Sequence, residues 1–94
     1  MNFAIYCLDK PDSTQVRAQA RPAHLEYVDR HADKIVLAGP VLSDDGKDMI
    51  GSLLVMEFPD KVAAERFTLE DPYRKAGLFK SVEIRPFRKV RPQG

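Results

Sequence analysis

"KIVLAGPVLSDDGKDMIGSLLVMEF", Lys34 to Phe58, holds two apolar runs around a short polar stretch. The first run, "KIVLAGPVL", is rich in β-branched and aliphatic residues and is broken at Gly39-Pro40, which reads as a strand. The second, "MIGSLLVMEF", is apolar except for Ser52 and Glu57. Between them "SDDGKD" carries a glycine in a polar turn, and its length suits a hairpin. The two strands are therefore expected to be antiparallel neighbours.

Outward from this hairpin, each side supplies a helix and a strand. Upstream, "NFAIYCL" (Asn2 to Leu8) reads as a first strand closed by "DKPDS". Residues Ser13 to Asp33 read as helical, with Asp12 or Ser13 as cap. Pro22 interrupts that stretch. It either kinks one helix, because its missing N–H cannot bond the carbonyl of Ala18, or occupies the first turn of a second segment. Beyond it Leu25, Val28 and Ala32 recur at helical spacing and predict a buried stripe. Downstream, Asp60 can cap a helix on which Val62, Ala63, Arg66 and Phe67 share a face whose apolar part would bury. Asp71-Pro72 should stop it, since the residue before proline is pushed out of helical angles. "LFKSVEIRPF" (Leu78 to Phe87) completes the chain as a fourth strand.

The order strand, helix, strand, strand, helix, strand is the split βαβ pattern of an α+β, ferredoxin-like domain with a four-stranded antiparallel sheet. Two helices cover one sheet face. The near-continuous apolar run from Met49 to Phe58 suggests a strand covered on both sides, and so a homodimer in which the open faces meet. The 94 residues fit one domain, residues 1–94, with about 90–94 as a frayed basic tail.

Composition narrows the function. With 44% apolar and 31% charged residues the chain is globular, and a net charge of +1 gives no reason to expect nucleic acid or a membrane surface as partner. The basic segment "RPFRKVRPQG" has no recognition-helix, aromatic RNA-binding or zinc pattern beside it and reads as a solvated strand end. One cysteine, Cys7, leaves no internal disulfide and fits a reducing compartment. It lies between Tyr6 and Leu8 and reads as a buried small hydrophobe. No signal peptide or membrane span is evident, so a cytoplasmic location is expected. The two histidines are seven residues apart without acidic residues at ligand spacing, so no metal site is expected. Phosphate-loop, flavin and nicotinamide fingerprints are absent, and no cofactor is expected. Ser52, in "GSLL", lacks the G-x-S-x-G setting of a nucleophile.

Both histidines fall in "RAQARPAHLEYVDRH", Arg17 to His31. His24 sits beside Leu25, at the edge of the apolar stripe, and an unbroken helix would bring Arg17 and Arg21 to its side. Arginine forks suit an anionic small molecule. Residue types alone leave two accounts of His24 open: a helix-edge histidine with an ordinary hydrogen bond, or a proton-transfer group. His31 reads as a surface residue near the helix end.

The ordered set "RPAHLEYV", "LAGPVL", "GSLLVMEF" and "DPYRKAGLF" resembles the YciI-like (YCII-related) family over nearly the whole chain. The resemblance implies a ferredoxin-like fold, dimerisation of the dimeric α/β-barrel type and a pocket with a His–Asp pair. Family relatives include a dehydrochlorinase acting on a chlorinated hydroxyquinol, and fold relatives include muconolactone isomerases. On it, His24 matches the family histidine and Asp71 the aspartate of "DPY". Gly39 and Pro40 match the "GP" after the second strand, Gly51-Ser52 the small pair of the third, and Tyr73 stands where the motif often has phenylalanine. Asp71 would then accept from one ring nitrogen of His24 and free the other for proton transfer. An aspartate at a helix C-terminus opposes the dipole, and a histidinium would compensate it.

The expected function is cofactor-independent proton transfer of lyase, isomerase or dehydrochlorinase type on a small phenolic or carboxylated substrate. His24 and Asp71 would be catalytic, and Arg17, Arg21, Gly39, Pro40, Ser52 and Tyr73 would bind substrate. The alternative is a non-catalytic small-molecule-binding or regulatory dimer in the same pocket.

Overall fold

The computed structural model describes residues 1–92. The strands are β1 (Asn2–Asp9), β2 (Ile35–Leu42), β3 (Met49–Glu57) and β4 (Phe79–Phe87), and the helices are α1 (Thr14–Asp29), α2 (Lys61–Glu70) and the single turn α3 (Pro72–Lys75). They form one antiparallel sheet in the order β2-β3-β1-β4. This is the ferredoxin-like α+β fold expected from the order of elements. Two residues of the expected tail, 93 and 94, lie outside the described residues, and 90–92 are exposed beyond β4.

The sheet's period of two sorts its side chains. Phe3, Ile5 and Cys7 of β1, Leu54 and Met56 of β3 and Ile84 of β4 are buried together against Tyr27, Val28, Ala64 and Phe67 of the helices. Gly51 of β3 lies where any Cβ would strike the carbonyl oxygen of Cys7, which accounts for a residue without a side chain in a central strand. On the opposite sheet face Tyr6, Leu37, Leu53 and Phe87 remain 37–50% exposed. Within one chain β3 is thus covered on one face, with Gly51 and Val55 the buried exceptions on the other.

Several expectations about the elements are corrected. β2 runs unbroken through Gly39-Pro40. It is an edge strand, the one place in a sheet where proline's missing donor is tolerated. α1 ends at Asp29 rather than Asp33, and a separate 3-10 turn, Ala32–Lys34, leads into β2. Pro22 lies inside α1 and does not open a second segment. Of the predicted stripe only Val28 is buried: Leu25 is 44% exposed and Ala32 exposed, and Val28 is joined inside by Arg17, His24 and Tyr27. Counting apolar residues misplaced the face because two polar side chains on it bring their own internal partners. On α2, Ala63 and Phe67 turn inward as expected with Ala64 and Thr68, but Val62 is 59% exposed. His31 is half-buried, not a free surface residue. Its Nδ1 lies 2.8 Å from the carbonyl oxygen of Tyr27, and its ring packs on Tyr27 and Phe67.

Burial pushes the Cys7 thiol up to about 12, so the fold favours its neutral form. That preference stabilises the protein fully below the ordinary thiol range and is lost as pH rises through about 12. Cys7→Ala is therefore expected to show a shallower fall in urea midpoint than the wild type between about pH 9 and 12. Equal slopes would place the alkaline loss elsewhere.

Candidate active site

A cavity of about 300 Å³ opens between α1 and the β2–β3 hairpin. Arg17, Arg21 and His24 of α1, Gly39 and Pro40 of β2, Ser52 of β3 and Tyr73 of α3 all border it, and Asp71 stands behind His24. Residues singled out from four separate segments of the chain are thus brought to one place. Leu25, Val28, Ile35 and Leu54 supply its apolar lining.

The His24–Asp71 contact follows from a helix junction. Pro72 forces Asp71 into an extended conformation (ψ 127°), which ends α2. The same proline then occupies the first turn of α3, where it is tolerated. The Asp71 carboxylate is turned back over that turn and accepts from the Tyr73 backbone N–H at 2.9 Å. The same oxygen lies 2.8 Å from His24 Nδ1. The dipole argument made from sequence is corrected here: Asp71 closes α2 but also caps the N-terminus of α3, where a carboxylate is favoured. A carboxylate only accepts, so Nδ1 is the donor in this contact and Nε2 is the ring nitrogen that Asp71 does not engage. The ring is also held face to face with Tyr73, centroids 3.8 Å apart and planes within 13°.

Arg17 is placed differently from expectation. Its Nε and Nη2 donate to the two carboxylate oxygens of Asp9 at 2.7 and 2.9 Å, and Nη2 also donates to Ser52 Oγ at 3.0 Å. The fork expected for a ligand is therefore engaged by Asp9, a residue the sequence reading did not single out. Burial works against the Arg17 charge, but the Asp9 carboxylate outweighs it and holds the guanidinium above its usual range. Arg17 also lies over the Tyr73 ring, 4.6 Å from its centroid. Arg17 and His24 are two turns apart on α1, about 10 Å along its axis, and the ring of Tyr73 fits that gap. Arg21, exposed on the cavity's rim, has no protein partner among the described residues. Burial raises the Tyr73 phenol above its ordinary value, with Arg17 and Arg21 pulling the other way.

Among the described residues no group of three or more His, Cys, Asp or Glu side chains converges as a metal site. No described helix is long and apolar enough to cross a membrane.

A ferredoxin-like sheet with a buried His–Asp contact, set beside a cavity under the helix layer, defines a class of small α+β domains. This chain belongs to the YCII-related family, whose domain model matches residues 1–88. It is 36% identical to protein YciI of Escherichia coli O6:H1, over 96% of this chain and 99% of that protein. It is also similar to the solved structure of a 5-chloro-2-hydroxyhydroquinone dehydrochlorinase from Burkholderia phenoliruptrix in complex with 2,5-dihydroxybenzoquinone. There the TM-score is 0.87 and the identity 39%, covering 94% of each chain. An antibiotic biosynthesis monooxygenase, at TM-score 0.55 and 12% identity over 95% of this chain and 97% of that one, shares the fold alone.

Asp9 and Arg17 are 6% and 5% exposed as side chains, so removing one partner strands a buried charge. Asp9→Ala is expected to cost about 3–5 kcal/mol. The double variant Asp9→Ala with Arg17→Met should recover part of that loss. Additive losses in chemical denaturation would show that the pair is not coupled.

Proposed function

We propose that the protein is a small, cofactor-independent enzyme that moves protons on a phenolic or carboxylated ring, with His24 as general acid/base and Asp71 as its orienting partner. The observation that carries this is the 2.8 Å contact between Asp71 and His24 Nδ1 at the edge of a cavity, because it fixes which nitrogen remains for chemistry. The likeness to a dehydrochlorinase at 39% identity supports a ring substrate. Arg21, the rim cation without a protein partner among the described residues, would hold an anionic group of that substrate, while Pro40 and the backbone of Gly39 would wall the cavity.

On a chlorinated hydroxyquinol the chemistry balances without an outside oxidant. His24 Nε2 takes a proton from a ring hydroxyl and returns it to the chlorine-bearing carbon. The C–Cl bond then breaks with chloride taking the electron pair, while a second hydroxyl gives up its proton to the freed Nε2 and a quinone is left. One base used in both directions suits a neutral imidazole. Omitting the halide loss leaves an isomerisation run by the same two transfers.

The test is turnover of a panel of chlorinated hydroxyquinols, phenols and unsaturated lactones, followed by chloride release and absorbance. His24→Ala is expected to lower kcat by about 10²–10⁴ while the thermal transition is kept. Wild-type protein that turns over no member of the panel yet is stabilised by binding would overturn the enzymatic reading and favour the non-catalytic binding dimer.

We also infer that the open sheet faces of two copies meet. Tyr6, Leu37 and Leu53 form an apolar centre there, with the charged pair Glu83 and Arg85 toward one edge. Sedimentation should give a dimer at micromolar concentration, and Leu53→Glu, placing a charge at that centre, should give a folded monomer. A wild-type monomer would sink this arrangement.

A further inference from the structure

The phenol of Tyr73 has no part in the scheme above, yet it is the least ordinary polar group of the cavity. Tyr73 is 1% exposed and borders the cavity. Its ring is fixed by stacking on His24 and by Arg17 over its face. Its backbone is fixed by Asp71. The hydroxyl donates to no acceptor among the described residues, while the Arg17 guanidinium faces it as a donor and the residue borders the cavity. The charged groups acting on it are Arg17 and Arg21, which donate hydrogen bonds and accept none, and Asp71, whose Oδ1 is already engaged by His24 and the Tyr73 backbone. A buried phenol surrounded in this way has its proton to give and no protein group to receive it.

We propose that Tyr73 is a second catalytic residue, whose hydroxyl donates a hydrogen bond to the substrate oxygen on which negative charge builds when His24 withdraws a proton. This rests on the proposed proton-transfer function and narrows its substrate class to rings whose reacting group is itself an ionisable oxygen, the one that His24 deprotonates. Two features suit the phenol to that task. Burial keeps it protonated at neutral pH, so it is a donor. The Arg17 cation against its ring polarises the O–H toward the ligand, and Asp9, by holding Arg17, keeps that cation in place. Donor and base are carried on two stacked rings, so their spacing is set before substrate arrives, as electrostatic stabilisation of a developing oxyanion requires. In the halide elimination, the oxygen that has lost its proton to His24 is the one stabilised. Its charge is released again as the carbonyl forms.

The test uses the whole protein and two probes of nearly the same shape, 4-nitrophenolate and nitrobenzene, titrated calorimetrically into wild type and Tyr73→Phe. Phenylalanine keeps the stacking ring, and Arg17, which loses the phenol oxygen as a partner, keeps Asp9 and Ser52. Tyr73→Phe should weaken 4-nitrophenolate by tenfold or more and leave nitrobenzene within twofold. On a turned-over substrate it should lower kcat by about 10²–10³ with KM little changed. Equal effects on both probes, or none, overturn the role of Tyr73. The proton-transfer function itself then stands or falls separately, on whether His24→Ala abolishes turnover. Wild-type protein that binds neither probe removes the cavity as a ring-binding site and this inference with it.

Discussion

A single carboxylate oxygen ties the helix layer together. Oδ1 of Asp71 accepts from the backbone of α3 at 2.9 Å and from His24 of α1 at 2.8 Å. At the residue whose backbone ends α2, one side-chain atom therefore starts α3 and anchors α1. Of its two partners one is two residues away and the other forty-seven, so the oxygen joins a local capping bond to a tertiary one. A buried carboxylate is costly unless its lone pairs are filled, and here both bonds to one oxygen come from N–H donors. Removing either would leave the other bearing a larger share of the desolvation. The side chain is 6% exposed, so water offers little substitute.

The second buried pair, Arg17 with Asp9, works differently. It joins the end of β1 to the start of α1 across the tight reversal at residues 10–13. Its fork also reaches Ser52 of β3. The two pairs sit two turns apart along one face of α1, and Tyr73 occupies the slot between their upper members. The result is a helix whose inward face is half polar at the end nearest the cavity and apolar at the other, where Tyr27 and Val28 join the core. Tyr27 still satisfies its hydroxyl by donating to the carbonyl of Phe67 at 2.7 Å. Polar groups beneath a helix layer weaken the hydrophobic drive for docking it. Here they persist where they border a cavity, which is where a chemical demand offsets that cost.

The strand framework was legible because its signals are local. Alternation in β1, the apolar run of β3 and the polar turn between two such runs require no knowledge of distant contacts. The stop at Asp71-Pro72 was legible for the same reason, a steric rule between neighbours. The orientation of α1 was not. Its inward face is chosen by Arg17 and His24, whose partners Asp9 and Asp71 arrive from opposite ends of the chain, and a periodicity count that treats charged residues as exposed assigns Leu25 inward instead. Asp9 escaped notice on the same ground. At the end of a strand before "KPDS" it looks like turn chemistry, and only the reversal of the chain makes it Arg17's partner. His24 and Asp71 were reached through an ordered resemblance of motifs, which carries tertiary information that spacing alone does not.

Strand β3 shows how one sequence period can serve two surfaces. Ser52, Leu54 and Met56 face the helices, where Ser52 and Leu54 border the cavity and Met56 joins the core. Leu53 and Val55 face the other way, in cross-strand register with Tyr6 and Ala4. Since successive residues alternate faces, the cavity and the open apolar surface are built from interleaved positions of the same strand. A one-residue slip would place Ser52 on the open face and Leu53 beneath Arg17, leaving the guanidinium without its hydroxyl partner and the sheet with a polar centre. The register is held against that slip by two features of the neighbouring strands. Gly51 admits the carbonyl of Cys7 where no side chain would fit. Pro40, opposite Ser52 on the edge strand, leaves one position without a donor and so marks where pairing must pass. The residues that keep the strand in place thus lie beside the one that meets Arg17, and holding the sheet together also holds the cavity's geometry.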